Sequence, residues 1–311
     1  MQQSILMGFL FLFSLSIQAQ EAEAEKIDMP TLEQRISALA VQMHSEKILE
    51  NREKLAKDIE QNLMEGLAQK EAYAYTFSKI EGISVLQPED KRFRIFTWEM
   101  YIDSAQGYQQ FGVVHSNDGK VIKLEDKSDE MKQPEFDRLK ASEWYGALYY
   151  NLQPFVSNNK TYYMLFGRDS YGFFDRRKIM EILYFDAKGD VRFGSNLINI
   201  KDGFGRMRTV NRYILQYSVG ADVKCNYNKE LQMIIFDHLI NGSPIEGAPP
   251  TGVPDGSYCG LQLVNGKWDY VDKVFKDDPN NVLVHDENPE IIMRRNTKKK
   301  DEKDLFGRKK R

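Results

Sequence analysis

The feature that most restricts this chain is a turn rhythm. From residue 73 onward, runs of β-branched and aromatic residues are cut every eight to twelve positions by turn residues. Ser116-Asn-Asp-Gly-Lys120 separates residues 111–115 from 121–124, and Asp186-Ala-Lys-Gly-Asp190 separates 179–185 from 191–193. Asn265-Gly266-Lys267 parts 258–264 from 268–271, and Asn228-Lys229 parts 223–227 from 231–236. Gly and Asn supply the positive φ of a tight hairpin, so each of these turns joins antiparallel neighbours. Residues 93–102, FRIFTWEMYI, and 213–219 add strands of the same composition. The pattern predicts about a dozen short strands in sequential hairpins, without the βαβ alternation of a parallel sheet. The expected fold is a mainly β domain over 72–277, an antiparallel meander shaped as a barrel, a sandwich or a small propeller-like array. No repeat of fixed period is present, which weighs against the propeller.

Ahead of this domain the period changes. Between residues 30 and 71 apolar positions fall at Leu32, Ile36, Leu39 and Met43, then at Leu55, Ile59, Leu63 and Leu67. Spacings of three and four predict a long amphipathic helical segment, in one piece or two, with a charged back. Thr31 is the expected cap, with Gln34 completing a capping box. The apolar face either docks on its own domain or zips against a partner helix.

The stretch Ser142–Asn151, SEWYGALYYN, is the densest aromatic cluster. Read as a strand, it puts Trp144, Leu148 and Tyr150 on a core face and Tyr145 and Tyr149 side by side on the other; read as a helix, it stacks Trp144, Leu148 and Leu152 in a core stripe. Tyr145 and Tyr149 are therefore the candidate interaction surface of the β domain.

The two ends carry different information. Residues 5–17, ILMGFLFLFSLSI, form an uncharged apolar run. As a helix it reaches roughly 20 Å, short of a bilayer core of about 30 Å. With Ala19 at the cleavage position and the acidic EAEAE beyond, residues 1–19 read as a secretory signal and 20–29 as a linker. MQQS carries no Lys or Arg, so an uncleaved membrane anchor is the competing reading. No later apolar run is long enough to span a membrane, and the expected location is the periplasm or the outer-membrane surface. Residues 288–311 hold ten Lys and Arg against four acids, a surplus of six on a chain whose net charge is −3. Residues 278–311 are expected to form a basic, irregular tail. On an exported chain this tail suits an anionic envelope surface or an acidic protein, rather than nucleic acid. Its candidate contacts are Arg294, Arg295, Lys298, Lys299, Lys300 and the apolar pair Leu305 and Phe306. Cys225 and Cys259 are the only cysteines, a candidate disulfide in an oxidising compartment or else two buried thiols.

Catalytic and cofactor motifs are sparse. His44, His115, His238 and His285 are isolated, without HExxH or CxxC, so no metal is expected. Gly256-Ser257-Tyr-Cys-Gly260 puts Ser in the wrong place for a nucleophile elbow, and Gly203-Phe-Gly205 lacks the third glycine and the context of a dinucleotide site. No cofactor is implied. Asp237-His238 is the one adjacent acid–base pair, but neighbours on a strand point to opposite faces. Asp169, Asp175 and Asp255 sit in turn-forming contexts and are the carboxylates a glycosidase reading has to use.

Taken in order, WYGALYYN (144–151), YYMLFGRD (162–169), RKIMEILYF (177–185), RYILQYS (212–218), MIIFDHL (233–239) and PDGSYCG (254–260) form a set. This set resembles a family of exported, β-rich envelope proteins of Gram-negative bacteria that has no established activity. The resemblance spans residues 93–275 and implies an envelope protein without catalytic residues to carry over. The expected function is a non-enzymatic accessory or scaffold module in envelope assembly, maintenance or secretion, with another envelope protein as partner. The alternative is a carbohydrate-binding or glycan-hydrolysing β domain, with Tyr145, Tyr149, Tyr162 and Tyr163 stacking on sugar rings.

Overall fold

The computed structural model describes residues 27–104, 107–203, 205–242, 250–275, 281–285 and 291–295. The predicted signal thus lies outside the described residues. No helix among those described is long and apolar enough to cross a membrane.

Two helices open the structure, α1 (Met29–Ser45) and α2 (Leu49–Leu67). The cap of α1 is Asp28 rather than Thr31. Its carboxylate accepts the Thr31 N–H at 3.0 Å, with Pro30 in the first turn where no N–H is needed. The helices break at residues 46–48, and Arg52 closes the break. Its guanidinium donates to the carbonyls of Glu46, Lys47, Tyr101 and Ile102. The two helices cross closely because of Gly66, where a Cβ would lie 2.1 Å from Leu32 Cδ2.

The helices lie on a four-stranded sheet of β1 (Ser84–Leu86), β2 (Phe93–Tyr101), β3 (Tyr108–Ser116) and β4 (Val121–Glu125), in that order and antiparallel. Strand β2 is buried from Phe93 to Met100, with Arg94, Thr97 and Glu99 among the buried residues, because both of its faces are covered. Phe96, Trp98 and Met100 pack under the helices with Ile36, Ile59 and Leu63. Phe93 and Ile95 point the other way, onto the large sheet.

That larger sheet has twelve strands. They are β5 (Leu139–Lys140), β6 (Leu148–Ser157), β7 (Lys160–Asp169), β8 (Asp175–Phe185), β9 (Val191–Phe193), β10 (Ile198–Lys201), β11 (Met207–Val210), β12 (Arg212–Ser218), β13 (Cys225–Asn228), β14 (Met233–Gly242), β15 (Thr251–Val264) and β16 (Lys267–Val271). The main path runs β11-β10-β16-β15-β12-β8-β7-β6, with β13 and β14 attached to β15. Every predicted turn joins paired strands, and Asn158-Asn159, both at positive φ, make a further hairpin between β6 and β7. The order departs from a simple meander at two joints, where β10 runs parallel to β16 and β12 parallel to β15.

The large sheet curls so that its β6 end meets the β13 edge through side chains. Asn151 on β6 donates to Asn226 on β13 at 2.6 Å, and the Tyr150 hydroxyl reaches the Cys225 carbonyl. Alternation along β7 and β8 then sorts the apolar residues. Met164, Phe166, Met180 and Ile182 fill the inside of the curl with Phe236, Leu261 and Trp268. Tyr163, Leu165, Ile179 and Leu183 face the small sheet. The described residues therefore form three large cores, helices on sheet, sheet on sheet and the interior of the curl, with a smaller cluster of Met233, Ile235 and Tyr258 on β14 and β15.

A further pair, β17 (Asn281–His285) and β18 (Ile291–Arg295), forms a two-stranded antiparallel hairpin. Part of the stretch expected to be an irregular tail is thus paired.

Candidate functional site

A cavity of about 430 Å³ is walled by residues of β10, β12, β14, β15 and β16 and of the turns beyond β10 and β16. Its key feature is a bulge. On β14 the single residue His238 stands opposite three residues of β15, since the register jumps from Asp237↔Tyr258 to Leu239↔Pro254. The three residues opposite it, two more than regular pairing allows, are Asp255, Gly256 and Ser257. Gly256 has φ +86° with open space around its α-carbon, so the backbone angle rather than crowding calls for glycine. Bulges of this kind re-aim side chains, and here the result is a pair. His238 Nδ1 lies 2.8 Å from Asp255 Oδ2, while Asp255 Oδ1 accepts both the Ser257 N–H at 2.9 Å and the Ser257 hydroxyl at 2.7 Å.

The rest of the wall comes from distant parts of the chain. Lys201, at the end of β10, bonds Asp272 just beyond β16 at 2.8 Å. The parallel joint of β10 and β16 brings them together, and Asn199 bonds Asp269 beside it at 2.6 Å. The Cys259 thiol and the Tyr270 hydroxyl are 2.8 Å apart. Phe236 forms an apolar floor, flanked edge-on by Tyr213 at 5.6 Å and at a tilt by Tyr270 at 6.4 Å.

Asp255, Asp272 and Cys259 are each held in one protonation state at this wall. Partial burial alone would raise the Asp255 carboxyl, but the Ser257 hydroxyl and N–H, with His238, bring it down to about 2. The hydrogen bond from Lys201 holds Asp272 below the usual carboxylate range. Burial pushes the Cys259 thiol up, so it is uncharged at neutral pH. With Nδ1 committed to Asp255, the imidazole of His238 keeps Nε2 as its second polar atom. Among the described residues, no three His, Cys, Asp or Glu side chains gather closely enough to hold a metal ion.

The residues singled out from the sequence are scattered. Tyr145 and Tyr149 are both wholly buried and offer no surface. The stretch before Leu148 is not a strand: a short 3-10 turn (Ala141–Glu143) leads into an extended link, so Trp144, Tyr145, Ala147 and Tyr149 all enter the core between the sheets. Tyr149 donates to buried Glu181 and accepts from Trp144 Nε1 at 2.8 Å, and Tyr145 accepts from Arg177 at 2.8 Å. Cys225 and Cys259 are free, buried thiols. They flank Phe236 from the two neighbouring strands, Cys225↔Phe236 and Phe236↔Cys259. Two strand spacings amount to about 9.5 Å, beyond the reach of a disulfide. Of the three turn aspartates only Asp255 lines the cavity. Asp169 ends β7, where burial raises its carboxyl to about 7 against the pull of Arg177, and Asp175 accepts from Gln216 at 2.9 Å. Arg294 and Arg295 lie on β18, while Lys298, Lys299, Lys300, Leu305 and Phe306 lie outside the described residues.

The sequence sets the adjacent Asp237 aside as a partner for His238 and does not connect His238 with Asp255, the carboxylate that it meets. The usable signal was Pro254-Asp-Gly-Ser257, a turn motif inside an otherwise continuous strand pattern. Lys201 and Asp272 carried no local signal, because a parallel joint assembles them.

No protein family, curated protein or solved structure matches the chain.

Proposed function

We propose that this chain is a non-enzymatic, exported protein of the cell envelope, an accessory module that binds through the cavity walled by His238, Asp255 and Tyr270. The observation that carries the reading is the hydrogen bonding of the wall. Asp255 is engaged by the Ser257 hydroxyl and N–H and by His238, Asp272 by Lys201, and the buried Cys259 thiol by Tyr270, contacts that favour ionised carboxylates and an uncharged thiol. A glycosidase needs a protonated carboxyl as its acid, and a cysteine nucleophile needs to be a thiolate. The groups here are set to recognise rather than to transfer protons. The layered scaffold, with cores on both sides of β2 and of β7–β8, keeps such a wall rigid.

Hydrolysis is the second reading, and one feature favours it: a carboxylate on His238 Nδ1 is the arrangement that orients a general base. The serine argues against it. In a Ser-His-Asp relay the hydroxyl donates to the imidazole, whereas Ser257 donates to Asp255, the same carboxylate that holds His238.

Export and the envelope rest on residues 1–19 and on the charge surplus of the C-terminal stretch, which suits another envelope protein or an anionic surface. Fractionation of cells expressing the tagged full chain, followed by crosslinking, tests this. The tag is expected in the periplasmic or outer-membrane fraction, with one specific crosslinked partner. A cytoplasmic tag, or a crosslinking pattern without a specific partner, contradicts it.

A further inference from the structure

We infer that the cavity takes an uncharged hydroxylated ring, a pyranose unit of a neutral glycan. The inference rests on the binding reading above and names its ligand class. The floor is apolar and aromatic, with Phe236 buried between Tyr213 and Tyr270. The rim is polar, and its groups alternate between donors and acceptors: Lys201 beside Asp272, and His238 beside Asp255. A pyranose has the complementary shape, a C–H face to lie on aromatic rings and hydroxyls around its edge to reach such a rim. The volume of about 430 Å³ lies at the small end of ligand cavities, which run from roughly 300 to 1,000 Å³.

Charge decides against the other ligand classes. Asp202, Asp237, Asp255 and Asp272 line the cavity against Lys201 and Lys273, so phosphate, carboxylate and acidic sugars meet a repulsive wall. A cation finds these carboxylates already engaged. Asp255 is held by Ser257 and His238, Asp272 by Lys201, Asp202 by Arg206 at 3.0 Å, and Asp237 by the Lys224 N–H at 2.5 Å. A wholly apolar ligand would strip water from the rim pairs and return no hydrogen bonds. A neutral polyol uses the pairs as they stand, because each still has lone pairs or protons to offer.

The test is a glycan array of neutral, amino and acidic oligosaccharides probed with the full chain, followed by calorimetry on the best neutral binder. Asp272→Asn and His238→Asn are the variants, since both positions lie on the rim outside the apolar cores. The expected result is binding to neutral glycans only, weakened about tenfold by either variant with the melting temperature unchanged, as befits the loss of one rim hydrogen bond. Preference for acidic or amino glycans overturns the inference, as does neutral binding that both variants leave intact. A silent array, with another small molecule retained by the wild type and lost in His238→Asn, sinks the glycan and leaves the binding reading standing. Release of new reducing ends from a bound glycan does the reverse.

Discussion

Replacing Glu181 with Gln tests the scaffold at its most costly point. Glu181 and Arg212 are opposite one another on β8 and β12, and both are wholly buried between the two sheets. One Glu181 oxygen accepts from the Arg212 guanidinium, and the other accepts from the Tyr149 hydroxyl. Arg212 reaches on to the carbonyl of Pro134, so this pair pins the 133–138 loop as well as the aromatic link to the sheet. Gln keeps the shape and removes the charge, which leaves the guanidinium buried without compensation. Breaking a buried pair from one side costs about 3–5 kcal/mol. Against a total stability of about 5–15 kcal/mol this is a large share. At about 2–4 °C per kcal/mol for a domain of this order, the melting temperature should fall by roughly 6–20 °C. Urea unfolding should show an earlier midpoint at unchanged slope. The double variant Glu181→Leu/Arg212→Met carries no buried charge and should recover most of the loss. A loss under about 1 kcal/mol for Glu181→Gln, or a double variant less stable than the single, refutes the reasoning.

Three further outcomes follow from the same structure. His115 is buried beside Arg94, and burial first, then the Arg94 charge, push its pKa down to about 4. The unfolded chain therefore binds this proton first, and stability should fall as pH drops from about 6.5 to 4, by about 3 kcal/mol in all. His115→Gln should flatten that part of the pH–stability curve, and an unchanged slope counts against the assignment. Gly66→Ala should cost about 1–3 kcal/mol, because Leu32 sits where the new methyl must go. Equal melting temperatures for the two proteins would show that the helices part freely. Thiol titration in denaturant, without reductant, should find two free thiols per chain and no change of melting temperature on adding a reductant. One disulfide per chain would contradict the pairing of β13, β14 and β15.

Local physics made most of the fold readable. The Asx-Gly turns place hairpins wherever the chain can reverse within a few residues, and the three-and-four spacing of Leu32 to Leu67 marks both helices. What stayed hidden depends on layers. FRIFTWEMYI marks a strand, but not that helices cover one of its faces and a second sheet the other. Tyr145 and Tyr149 looked like a surface because strict alternation was carried back through Trp144, where the backbone is an extended link with Gly146 at φ +79°. The site was half legible. Asp255 and His238 each stood out, yet their union needs a three-residue bulge that changes the register between them, and Lys201 and Asp272 meet only through a parallel joint.

Equilibrium dialysis tests the central claim most directly, namely that the cavity binds without transforming. The wild type and His238→Asn are dialysed separately against a small-molecule extract of envelopes, and the retained compounds are read by mass spectrometry. The account predicts a compound held by the wild type, released by the variant, and recovered with its mass unchanged. Equal retention by both proteins, or recovery of a cleaved product from the wild type alone, contradicts it.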